Sequence, residues 1–104
     1  MTGGMNNRHS NPHATFSPGP PIQTSRYLQG PEGCNLFIFH IPNKMTTLDL
    51  FNLFKRFGEI LSARIMVDKQ TGCNRGFGFV SFDNQHSAQA AIAGMNGFKV
   101  RLGF

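Results

Sequence analysis

Tryptophan is absent from this 104-residue chain, tyrosine occurs once and cysteine twice. Cys34 and Cys73 lie far apart and neither sits in a CxxC pair. A disulfide framework is therefore not the organising principle. With no signal-peptide pattern, a reduced compartment, nucleus or cytoplasm, is expected. The four histidines, His9, His13, His40 and His86, fall at no usual zinc spacing with these cysteines. No apolar run is long enough to span a membrane. Serine–histidine–aspartate, paired-carboxylate and phosphate-loop arrangements are missing too. The expectation is a chain with no metal, no cofactor, no membrane partner and no catalysis.

Acidic residues are also scarce. Five Asp and Glu stand against ten Lys and Arg, a net charge of +5 and a pI near 9.9. Such a balance favours a polyanionic partner, although a charge of this size also serves solubility. The length fits one domain. What the chain has in quantity is phenylalanine, eleven residues of it.

Residues 1–32 are rich in Gly, Pro, Ser, Thr and Asn, and their apolar residues are isolated. A segment of this kind buries too little surface to offset its ordering entropy, so a disordered tail or linker is expected. Phe16 and Tyr27 are its rings available for docking. From residue 33 the pattern changes, and 33–104 reads as the folded domain.

Residues 35–41 (NLFIFHI) read as a strand that Pro42 stops. Residues 46–57 place Leu50, Leu53, Phe54 and Phe57 on one helical face. Thr46 or Thr47 suits its cap, Asp49 its first turn, and Gly58 the C′ position. Residues 59–67 (EILSARIMV) read as a strand with Ile60, Ala63 and Ile65 inward. Their broken parity predicts a bulge near Leu61 and Ser62. After turn chemistry at 68–72 comes the strand 74–82 (NRGFGFVSF). A second helix over 85–95 carries Ala88, Ala91, Ile92 and Met95. The order is β-α-β-β-α, which one more strand closes into an α+β, ferredoxin-like sandwich: a four-stranded antiparallel sheet with two helices on one face.

Two strands are apolar on both faces, and one face needs an explanation beyond the core. Leu36 and Ile38 match Val80 and Phe82 as core residues. Arg75 belongs to the other set, and a charge is poorly placed beneath helices. Phe37, Phe39, Phe77 and Phe79 are therefore expected on the open face, with Arg75 beside them and Gly76 and Gly78 on the helix side. If Ala63 and Ile65 face inward, Arg64 and Met66 face outward. A covering element, such as the proline-rich tail or a partner copy, is one explanation for the open rings. Flat rings rimmed by cations suit another, because nucleobases stack on rings while cations take phosphates.

These residues carry a family resemblance. Residues 75–82 (RGFGFVSF) match the RNP1 octamer of the RNA recognition motif at every defined position, and 36–41 (LFIFHI) resemble its RNP2 hexamer, with His40 where Asn is commonest. Cold-shock domains carry a similar segment, but the two helices exclude their all-β barrel. A narrower likeness, to the last such domain of Bruno-like (CELF) splicing and translation regulators, rests on 30–42 (GPEGCNLFIFHIP), 68–71, 76–84, 87–92 and 95–98. His40 is typical of that group.

The resemblance implies a monomeric module for single-stranded RNA, U- and G-rich and often UGU-containing, in splicing, translation or mRNA stability, alongside other RNA-processing proteins. It implies stacking on Phe37 and on Phe77 or Phe79, and a phosphate contact from Arg75. Phe39, His40, Arg64 and Met66 would tune base preference across the same face. Protein-interaction modules of this fold are the alternative, but those have degraded aromatics and an acidic first helix. A ferredoxin-like acylphosphatase would need a phosphate-cradling loop that is not found.

The sequence departs from the family pattern at residues 98–104 (FKVRLGF). Phe98, Val100 and Leu102 share one side and Lys99 and Arg101 the other, without the usual lead-in hairpin. The fourth strand is expected to be truncated or missing, leaving the edge at residues 36–41 unpaired.

Overall fold

The computed structural model describes residues 17–95 and 97–103. The elements run β1 (Ile22–Gln23), β2 (Asn35–Phe39), α1 (Thr47–Lys55), β3 (Ile60–Val67), β4 (Asn74–Phe82), α2 (Gln85–Gly94) and β5 (Lys99–Leu102). The strands form one sheet in the order β1-β3-β4-β2-β5, antiparallel throughout.

Both helices pack on one face of this sheet. Leu50 and Phe54 of α1 and Ala88 and Ala91 of α2 share a single buried cluster with Leu36, Ile38, Ala63, Ile65, Val80 and Phe82. Alternation along each strand thus delivers the expected inward set. Leu53, Phe57 and Ile92 pack at the rim of that cluster, partly buried. The bulge predicted in β3 is present: Ile60 faces Phe82 and Ser62 faces Ser81, so Leu61 is the extra residue.

Helix α1 begins with a capping box. Thr46 Oγ1 accepts the Asp49 N–H at 3.0 Å, and the Asp49 carboxylate accepts the Thr46 N–H at 3.0 Å. Two backbone donors that the first turn leaves without helical partners are thereby satisfied. Thr46→Ala is expected to lower stability by about 1 kcal/mol. The measurement is the urea midpoint, which should fall with an unchanged m-value.

Three expectations are corrected. The tail 1–32 is not disordered over its described part. Pro18 is buried, its carbonyl accepts the Thr47 N–H at 2.7 Å, and the Gly19 carbonyl accepts Thr47 Oγ1 at 3.2 Å. Ile22 and Gln23 then pair with Ala63 and Ser62 on the outer edge of β3. Thr24 adds further bonds to that edge, N–H to the Leu61 carbonyl at 2.9 Å and Oγ1 to the Ile60 carbonyl at 2.6 Å and the Leu61 carbonyl at 3.3 Å. An apolar-poor segment can be ordered when a sheet edge supplies backbone partners and prolines reduce the freedom to be lost. Residues 1–16, with Phe16, lie outside the described residues.

The fourth strand of the expected pattern is present as β5. It is short, four residues, yet it pairs along β2 from Leu36↔Leu102 to Phe39↔Lys99, so the β2 edge is not left open. Phe98 and Val100 pack against the core. The Gly103 N–H adds a bond to the Asn35 carbonyl at 2.5 Å. Finally, β2 stops at Phe39 rather than Ile41. His40 adopts φ +61°, the one positive value among described non-glycine residues, and turns the chain out of the ladder before Pro42 is reached.

Candidate nucleic-acid interface

Antiparallel partners point to the same side of a sheet, so the register defines what the helix-free face carries. At one end lies a polar row, Gln23–Ser62–Ser81–Asn35. Next comes Arg64–Phe79–Phe37–Arg101, two rings flanked by two cations. Beyond it is Phe77–Phe39–Lys99. All four rings are half-buried, and they meet one another edge-on or tilted. Phe37 and Phe79 have centroids 4.9 Å apart at 64°, and Phe77 and Phe79 are 6.4 Å apart at 77°.

The N-terminal segment crosses the polar row. Ser62 Oγ donates to the Leu28 carbonyl at 2.5 Å. The buried Asn35 carboxamide accepts the Gly30 N–H at 2.9 Å and donates to the Gly30 carbonyl at 3.2 Å. Residues 26–29 thereby form one wall of an open cleft of about 740 Å³ whose floor includes Phe37, Phe79 and Arg64. Tyr27 is 60% exposed on that wall, with the Arg26 guanidinium 5.9 Å from its ring centroid. The tail thus partly covers one pair of rings and leaves the face open.

A second cleft, about 550 Å³, is lined by Phe39, His40, Arg75, Gly76, Phe77, Lys99 and Arg101. The Arg75 guanidinium lies 5.4 Å from the Phe77 centroid, within cation–π range. Arg26, Arg64, Arg75, Lys99 and Arg101 line the two clefts, and among the described residues no Asp or Glu does. Apolar rings beneath an uncompensated set of cations attract an extended polyanion that also carries flat, stackable groups.

Of the residues singled out from the sequence, Phe37, Phe79 and Arg64 meet in the first cleft, and Phe39, Phe77, His40 and Arg75 in the second. Met66, half-buried next to the irregularity between Ile65 and Val67, lines neither. Sequence reasoning missed Lys99 and Arg101 because β5 was not expected to form; their alternation with Val100 and Leu102 was the available signal. It also missed Arg26 and named Tyr27 only as a ring available for docking, because nothing local in the sequence announces a contact of either with the sheet.

The two glycines between the rings divide their work. At Gly78 a Cβ would come 2.3 Å from the Arg64 carbonyl oxygen, so close approach of β3 requires glycine there. Gly76 does not sit against the helices as expected. It has φ +87°, no close neighbour, and a place in the second cleft. Its requirement is backbone conformation. Burial, and secondarily Asp83, pushes the titration of the Cys34 thiol up; Cys34 lines neither cleft.

The RNA recognition motif model matches residues 36–102. Among solved structures, the chain is similar to the first two RNA recognition domains of Drosophila melanogaster Sex-lethal, at 35% identity and a TM-score of 0.65 over 68% of this chain and 50% of that one. A Sex-lethal protein–RNA complex matches at the same identity and TM-score, with 47% of that chain covered. The first two such domains of a yeast poly(U)-binding protein match at 36% and 0.65, over 68% of this chain and 47% of that one. This chain spans about half the length of these relatives. The matched residues contain both ring-bearing strands, both helices and the cationic edge strand, and the chain belongs to the RNA recognition motif family.

Proposed function

We propose that this chain is a non-catalytic module that binds single-stranded RNA, with a preference for U- and G-rich segments. The observation that carries the reading is the pair of phenylalanine rows on the helix-free face, flanked by Arg64, Arg101 and Lys99. Bases stack on Phe37, Phe39, Phe77 and Phe79 while Arg64, Arg75, Lys99 and Arg101 take phosphates. His40 at the strand end and Met66 on β3 act on base choice. The RNA complex of Sex-lethal and the poly(U) binding of the yeast protein support the ligand class. The Bruno-like run at residues 30–42, His40 included, supports the U/G preference and a part in splicing, translation or mRNA stability, in nucleus or cytoplasm.

The test is a titration of labelled U/G-rich and C-rich oligonucleotides against the chain at several salt concentrations. The U/G-rich strand should bind more tightly. Its log affinity should fall with log salt at about 0.7 per phosphate neutralised, or roughly 2–3 for three or four engaged cations. Equal affinity for both strands removes the U/G preference, and no binding of either removes the RNA reading.

A further inference from the structure

The second cleft is bordered by two irregularities that face each other. On β4, three residues lie between Asn74 and Gly78, whose partners on β3, Val67 and Ile65, have only Met66 between them. The excess is taken up at Arg75 and Gly76, with Gly76 in the left-handed region. On β2, the ladder ends at Phe39 and His40 is left-handed as well. The Ile41 N–H then donates to the Gly76 carbonyl at 2.8 Å. A left-handed residue other than glycine costs on the order of 1 kcal/mol, so this turn must be held by its surroundings.

One buried side chain touches both irregularities. Asn74 is 7% exposed. Its Oδ1 accepts the Gly76 N–H at 2.5 Å, closing a turn over Arg75, and its Nδ2 donates to the Pro42 carbonyl at 3.0 Å, beyond His40 and Ile41. The carboxamide thus fixes the bulge that turns Arg75 outward over Phe77 and ties it to the turn that presents His40. Both residues line the same cleft. We infer that Asn74 is a positioning residue of the RNA face, setting Arg75 and His40 about the Phe39–Phe77 row without touching RNA itself. The inference rests on the RNA-binding reading.

A double-mutant cycle tests it. The labelled U/G-rich oligonucleotide is titrated against Asn74→Ala, Arg75→Ala and the double variant over a salt series, below each melting temperature. Arg75→Ala should weaken binding about tenfold or more, the size of one charge-assisted contact. It should also make the salt slope shallower by about 0.7. Asn74→Ala should reproduce most of that loss and the same change of slope, and the double variant should bind no more weakly than Arg75→Ala. Asn74→Ser keeps an acceptor for the Gly76 N–H but is too short for Pro42, so it should fall between wild type and alanine. If Asn74→Ala does not fold, the serine variant decides on the same slope criterion. A folded Asn74 variant with wild-type affinity and slope overturns the inference, as do losses that add in the double variant. No effect of Arg75→Ala overturns it together with the assignment of phosphate contact to this face.

Discussion

Replacing Phe77 and Phe79 together by alanine is expected to cost at least about thirty-fold in affinity for U/G-rich RNA, the equivalent of about 2 kcal/mol. The figure follows from the position of the rings. Both lie on the helix-free face, opposite Phe39 and Phe37 and beside Arg75 and Arg64, so each loses a stacking partner for a base. The same variant should remain folded. The rings are half-buried, and what they give the protein is their edge contacts with each other and with Phe37, worth about 0.5–1.5 kcal/mol apiece. A fluorescence titration beside a thermal melt separates the two quantities. Unchanged affinity in a folded double variant would show that bases do not stack on these rings.

Phe82→Ala, three residues further along the same strand, should do the reverse. Phe82 is fully buried, inside the cluster that joins the sheet to both helices. Losing a buried phenylalanine costs about 3–5 kcal/mol through lost transfer energy and the cavity left behind. That is a large part of the ~5 kcal/mol or more by which such a domain is stable. The melting temperature should fall by about 15 °C or more. RNA affinity, measured below the transition on the folded fraction, should stay near wild type. If Phe82→Ala melts with the wild type while the Phe77/Phe79 double variant unfolds, the two faces of β4 have been assigned the wrong way round.

Much of this arrangement was legible in the residues themselves. The helices announced themselves through the spacing of Leu50 and Phe54 and of Ala88 and Ala91, and strand parity sorted Leu36, Ile38, Val80 and Phe82 from the four open phenylalanines. The bulge at Leu61 followed from the broken parity of Ile60, Ala63 and Ile65. A cap for α1 at Thr46 or Thr47, with Asp49 in the first turn, was visible as a short-range pattern, and the structure selects Thr46. Each of these is a local rule, in which neighbours along the chain decide which side a residue faces.

What the sequence did not reveal depends on partners distant in the chain. Ile22 and Thr24 have no apolar pattern of their own, and they are ordered because the β3 edge, some forty residues on, has free backbone groups to share. Lys99 and Arg101 join the interface because β2 has a second edge for β5 to occupy. The left-handed turns at His40 and Gly76 and their tether through Asn74 require two strands side by side before they have any meaning. The sequence by itself determined the two helices, the three central strands and which rings stay outside the core, because those follow from periodicities of 3.6 and 2. Only the tertiary structure decided how far the sheet extends, which cations rim the rings and which way Arg75 points, because backbone pairing across the sheet brings those groups together.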